Sequence, residues 1–175
     1  MGAGVKTEVW YTNGVQPGNP ANEPFVAWLT KLASTDDAPS LFSMSYGDEE
    51  SGVVASFAQR CNVEFQKAGA RGITLLAAAG DSGAGCASGR YVPTFPASSP
   101  WITAVGGLQG GATGAESEVV WASSMGSGGG GFSDYFPRPA YQEAAVSKYL
   151  KTAGLPEARM WNHSGAGFPD VAVRA

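Results

Sequence analysis

Charge, histidine, cysteine and long apolar runs are all scarce in this chain of 175 residues. Charged residues make up 15%, against roughly 25% in ordinary soluble domains. Eleven basic against 15 acidic residues leave a net charge of −4. Such a chain offers no basic footprint for phosphate, so no nucleic acid partner is expected. The longest apolar run, residues 73–79, falls far short of the roughly 20 residues of a membrane-spanning helix, and no membrane partner is expected either. Residues 1–12, MGAGVKTEVWYT, hold no hydrophobic segment of a secretion signal, and Lys6 stands where a myristoylation motif needs Ser or Thr. Two cysteines, Cys61 and Cys86, could bridge, pair elsewhere or remain free; buried small hydrophobes are the commoner outcome.

Glycine and apolar residues are what the chain has in plenty. With 25 Gly and 11 Pro, turns must abound, while 43% hydrophobic residues support a core in one domain of this length. Disorder, collagen and a coiled coil are excluded, and no internal repeat is visible. Residues 22–33 read as a helix, since Phe25, Trp28, Leu29 and Leu32 recur at spacings of three and four behind Pro24. Residues 41–47 alternate as a strand does. A second helix should start near Asp48 or Ser51 and present Val54, Phe57, Ala58, Cys61, Phe65 and Ala68 on one stripe until Gly69 and Gly72 stop it.

Residues 73–79, ITLLAAA, then read as a strand buried on both faces. Strand, helix and strand in that order predict a right-handed parallel crossover. A third strand is expected at 101–105, and a last helix at 140–150 with Tyr141, Ala145, Val146, Tyr149 and Leu150 as its apolar positions. The Gly/Ser region 106–131 has the composition of a flexible linker, but it runs into an aromatic and proline cluster at 132–139 that should pack.

In parallel α/β sheets, ligands gather at the carboxyl ends of the strands. SYGDEE, GDSGAGC and VGG fall there. GDSG is also the setting of the nucleophile in trypsin-like serine proteases, which would single out Ser82. That reading fails, because the only histidine, His163, sits in a polar NHSG turn and the pattern is α/β rather than all-β. A phosphate-binding loop fails too, since no Lys occupies the phosphate-reaching position. Composition alone makes Asp81 a turn former at a strand end.

Five ordered segments carry a more specific signal: MSYG (44–47), ARGITLLAAAGDSGAGC (70–86), PTFPASSPWITAVGG (93–107), SGGGGFSDYFPRPAYQ (127–142) and FPDVA (168–172). Together they resemble the sedolisins, the serine-carboxyl peptidases, and within them the lysosomal tripeptidyl peptidase branch. The resemblance implies a subtilisin-like α/β fold, a parallel sheet flanked by helices in three layers, here incomplete, and a peptidase acting at acid pH.

The family uses a Ser nucleophile, a Glu base, an Asp that orients the Glu, and a second Asp in the oxyanion hole. Only the last maps onto this chain, at Asp81. A carboxyl group can donate to a developing oxyanion only when protonated, and an ordinary Asp protonates near pH 3.9, which suits acid conditions unless burial shifts it. Ser45, Tyr46 and Gly47 correspond to the strand end that pairs with extended substrate, and Ser127, Gly128, Gly129 and Gly130 to the facing wall, where glycine lets a peptide backbone approach closely. A peptide or protein is therefore the implied partner.

Cys86 falls where the family has a disulfide cysteine whose partner would lie outside residues 1–175, and Asn162 with Ser164 makes a glycosylation triplet. The family's serine segment, its Glu/Asp helix and its calcium-binding segment have no match here, so no cofactor or metal is expected in this chain. The resemblance also implies a lysosomal or secreted setting. Residues 1–175 are thus expected to be a partial peptidase domain, truncated at both ends and inactive alone; the alternative is a short, inactive homologue that binds peptides.

Overall fold

The computed structural model describes residues 4–110, 118–152 and 154–174. The chain first runs extended and turns at 16–22, where Gln16 Oε1 accepts the Ala27 N–H at 3.1 Å and so satisfies a first-turn donor of helix α1, Phe25–Ala33. Phe25, Trp28, Leu29 and Leu32 are its buried stripe, as their spacing predicts. The helix begins three residues later than expected, at Phe25, with Pro24 as its cap.

Strand β1 (Leu41–Met44) is shorter than expected. Residues 45–47 leave the sheet, and Asp48–Glu49 form a short strand, β2, antiparallel to β4 (Thr94–Phe95). A turn of 3-10 helix at Glu50–Gly52 follows, so helix α2 spans Ala55–Ala70 rather than starting at 48 or 51. Ala58, Cys61, Phe65 and Ala68 are buried in α2 as expected, whereas Val54 is exposed just before it.

Strand β3 (Thr74–Ala78) pairs in parallel with β1 and with β5 (Thr103–Gly110), and β5 pairs in parallel with β11 (Val171–Arg174). The sheet order is β1-β3-β5-β11, a parallel sheet flanked by helices, with α2 as the crossover between its first two strands. The two faces of β3 are unequal. Ile73, Leu75 and Ala77 are buried in the core with Phe65, Leu29 and Phe95, and Ala79 in a smaller cluster with Ala97, Ala104 and Phe168, while Leu76 and Ala78 on the other face are only half-buried. The expectation of burial on both faces is corrected accordingly.

Region 106–131 is not a linker where it is described. β5 runs on to Gly110 and pairs with β6 (Glu118–Val120), then β7 (Ala122–Ser123) pairs with β8 (Gly126–Ser127). Residues 111–117 lie outside the described residues. The aromatic cluster packs as expected: β9 (Gly131–Pro137) pairs with β10 (Gly165–Phe168), and Phe136 enters the main core. Helix α3 covers only Glu143–Tyr149, and of its expected apolar stripe only Val146 is fully buried; Tyr141 and Tyr149 are exposed.

Candidate active site

The glycine-rich motifs meet at the carboxyl end of β3; VGG, expected after the third strand, lies inside β5, level with that end. β3 runs out at Ala79, whose N–H donates to Val105 O, and Gly80 turns the chain with φ +103°, a conformation that favours glycine. Asp81 follows, with its side chain exposed. The backbone of its turn is held from across the gap: Ser127 N–H donates to Asp81 O at 2.8 Å, Gly83 N–H to Ser127 O at 3.0 Å, and Gly129 N–H to Gly80 O at 2.7 Å. A side chain at 129 has no room, because a Cβ there would stand 2.0 Å from Ala79 O. Glycine at 129 is therefore demanded by the chain's own backbone, before any peptide approaches.

The remaining motifs join the same junction. Gly128 N–H donates to Trp121 O, and Trp121 N–H to Gly107 O of the VGG motif. Gly130 lies against Phe168 O and Pro169, and Gly106 against Pro169, which brings in FPDVA. The result is a cleft of about 710 Å³ whose lining includes Gly106, Gly107, Gly128, Gly129, Gly130 and Asp170. Asp81 and Ser127 sit beside this lining rather than in it.

Ser45–Gly47 take a neighbouring place. Gly47 packs so closely on the backbone of Phe95 that a Cβ would stand 2.7 Å from its carbonyl oxygen, and both Gly47 and Gly80 rest on the Thr94 side chain. Tyr46 lines a second cavity of about 370 Å³ with Trp10, Phe25, Trp28 and Met44. Its hydroxyl donates to Glu23 Oε2 at 2.6 Å, a bond that raises the Tyr46 pKa above its ordinary value, with burial adding to it.

Relatives with known names fit this arrangement. Tripeptidyl-peptidase 1 from Pongo abelii is 47% identical over 180 residues, 98% of this chain and 30% of that protein. The mouse protein of the same name is 46% identical over 99% of this chain, and the human one 44% over 98%. A solved structure of Pseudomonas sedolisin, a serine-carboxyl proteinase complexed with two molecules of pseudo-iodotyrostatin, matches 85% of this chain and 40% of its own with a TM-score of 0.59 at 26% identity. Nearly the whole chain is thus similar to tripeptidyl-peptidase 1, and it shares the fold of sedolisin. It spans about 30% of the length of the curated relatives it matches, and no family model matches it.

Within this sedolisin fold the other expected residues fall as follows. Cys86 is exposed with a free thiol. Cys61 is buried in α2, and burial pushes its thiol up to about 12, the mark of an unreactive packed sulfur. Asn162 is half-buried; its Nδ2 donates to Ser133 O at 2.8 Å and its Oδ1 accepts from Ser164, so a glycan would attach at an atom already holding β9. Among the described residues no group of three or more His, Cys, Asp or Glu side chains could hold a metal.

Two acidic residues that sequence reasoning passed over stand close to the sedolisin motifs. Asp170 lines the cleft, accepts the Ala104 N–H at 2.8 Å, and is raised in pKa by burial against the opposing pull of that bond and of Gln142. Its signal was its place inside FPDVA. Glu50 is 1% exposed and accepts hydrogen bonds from Ser98, Ser133, Asp134 and Tyr135. It sits in the DEE run, which looks like a solvated charge cluster, and nothing local distinguishes it.

Proposed function

We propose that this chain forms the oxyanion carboxyl and the peptide-binding walls of an acid-acting serine-type peptidase, one that removes tripeptides or cuts internally, in a lysosomal or secreted setting. The observation that carries the reading is the convergence of GDSG, VGG and SGGG at the carboxyl end of β3, with FPD packed alongside at the amino end of β11 and the Asp81 side chain exposed on a turn whose backbone is held at Gly80, Asp81 and Gly83. An extended peptide lies between segments 45–47 and 127–130 by main-chain pairing. Asp81, when protonated, donates to the oxygen that becomes negative as the scissile carbonyl is attacked, and its backbone clamp limits reorganisation at that moment. The serine nucleophile and the Glu/Asp pair of the family are not matched by any segment of this chain.

The 175-residue chain is therefore expected to bind a fluorescein-labelled hexa-alanine peptide without cleaving it at about pH 4–5, where ordinary carboxyl groups protonate. Hexa-alanine tests main-chain recognition because it makes no side-chain demand. In a polypeptide that also carries the serine and the Glu/Asp pair, Asp81→Ala should lower turnover by about 100- to 1,000-fold, the usual effect of removing one oxyanion donor. Cleavage by the chain alone, or an Asp81→Ala enzyme with full turnover, overturns the reading.

A further inference from the structure

The buried carboxyl of Glu50 has no part in the proposed chemistry, yet it sits between the two walls. On one side, Glu50 is three residues after Gly47, and its own N–H donates to Pro93 O at 2.8 Å, fastening it beside the β2/β4 pair. On the other side, Ser133 is three residues after Gly130, at the start of the β9 segment that continues from the glycine wall. Three residues of chain span at most about 11 Å, so a fixed point at that distance restricts each wall.

The carboxyl makes that fixed point with both oxygens. Oε1 accepts from Ser98 Oγ at 2.7 Å and Ser133 Oγ at 2.5 Å; Oε2 accepts from Asp134 N at 2.7 Å and Tyr135 N at 3.2 Å. The join is reinforced nearby, since Tyr135 Oη donates to Val53 O at 2.9 Å, just past the Glu50 turn. Elements that are far apart in sequence thus meet on one side chain, and a side chain with every lone pair engaged is expensive to move.

We infer that Glu50 is a positioning residue: its carboxyl sets the spacing between segment 45–47 and segment 127–130, and through that spacing the affinity for extended peptide. The peptide part of this inference rests on the function proposed above; the coupling of the two walls does not.

The experiment separates them. Backbone hydrogen exchange followed by mass spectrometry is recorded for segments 45–52 and 131–137 in the wild-type chain and in Glu50→Ala, Glu50→Gln and Ser133→Ala, alongside binding of the labelled hexa-alanine peptide. Glu50→Ala should speed exchange in both segments together, by roughly tenfold, and weaken peptide binding by roughly tenfold, while exchange in α2 stays as it was. Glu50→Gln keeps an acceptor for the Asp134 and Tyr135 N–H groups and can donate to Ser98, so it should remain within roughly threefold of wild type on both measures.

Ser133→Ala covers the case in which Glu50→Ala fails to fold. It removes one donor to Glu50 and should speed exchange in the remote segment 45–52 as well as its own. Exchange that rises in one segment only, or Glu50→Gln as damaging as Glu50→Ala, overturns the inference. Should the wild type not bind peptide, the proposed function falls, and the exchange data alone decide whether Glu50 couples the walls.

Discussion

Glu50 shows how a single residue can set a pH dependence. Burial raises its pKa above the ordinary 4.5, and the neighbouring Asp134 charge acts in the same direction, while the hydrogen bonds from Ser133, Ser98 and Asp134 N–H pull the other way. Burial is the largest of these influences and prevails, because the charged carboxylate loses more on leaving water than the neutral acid does. The folded state therefore binds this proton more tightly than the unfolded chain does. Its stabilising contribution is full below the unfolded value and is lost as pH rises through the raised folded value. Urea unfolding of wild type and Glu50→Gln between about pH 4 and 7 should show the wild type losing stability with rising pH relative to the variant; parallel curves would place the titration elsewhere.

Glycine and cysteine positions carry equally local predictions. Gly129→Ala puts a Cβ 2.0 Å from Ala79 O, an overlap that backbone must absorb, at a cost of at least about 2 kcal/mol and a Tm lowered by roughly 4–8 °C. Calorimetry checks this, and an unchanged Tm would mean the strand slides freely. Of the thiols, exposed Cys86 should react with a maleimide in the native protein, while Cys61, pushed up to about 12 by burial, should react only after unfolding. Mapping the labelled peptides distinguishes them. The importance of Asp81 was legible from its motif, but its backbone clamp was not, because the bonds come from residues 127–129, more than 40 positions away.

At the scale of elements, legibility followed the range of the forces. Helices α1 and α2 and strand β3 show in the sequence because their apolar spacing is a local property, and Phe25, Trp28, Ala58, Cys61 and Phe65 are buried as that spacing requires. The short pairs β2/β4 and β7/β8 carry no such pattern; they exist because distant segments are brought alongside, as Asp48 is to Phe95. That pairing is also what displaced the start of α2 to Ala55. In α3 the apolar spacing misled. Tyr141 and Tyr149 face outward into contacts of their own, Tyr141 Oη donating to Pro100 O and Tyr149 tilted on Phe132, and both line the cleft. Phe65 is 1% exposed and packs near Phe95 at the meeting point of α2 and β4, so Phe65→Ala should cost about 3–5 kcal/mol in denaturant unfolding, with the α2 and β4 amides losing exchange protection together.

For the whole molecule, the parallel pairing of β1, β3 and β5 explains why MSYG, GDSG and VGG lie so far apart in sequence and so close in space, while FPD joins them from the amino end of β11. The sheet also leaves apolar surface open along β11, where Val171 and Val173 are 49% and 57% exposed. A strand with such a surface favours association. Val173→Lys should reduce light scattering of concentrated protein without altering the circular dichroism spectrum; unchanged scattering would acquit this strand.

The central claim is that segments 45–47 and 127–130 are the two walls of one peptide site with Asp81 at its end. The most direct measurement is a nuclear magnetic resonance titration of the ¹⁵N-labelled chain with hexa-alanine at about pH 4.5, within the range where carboxyl groups protonate. Amide shifts should concentrate at Ser45, Tyr46 and Gly47, at Ser127 to Gly130, and at Asp81. Shifts confined to the Tyr141 and Tyr149 side of the cleft, with those backbone segments silent, would contradict it.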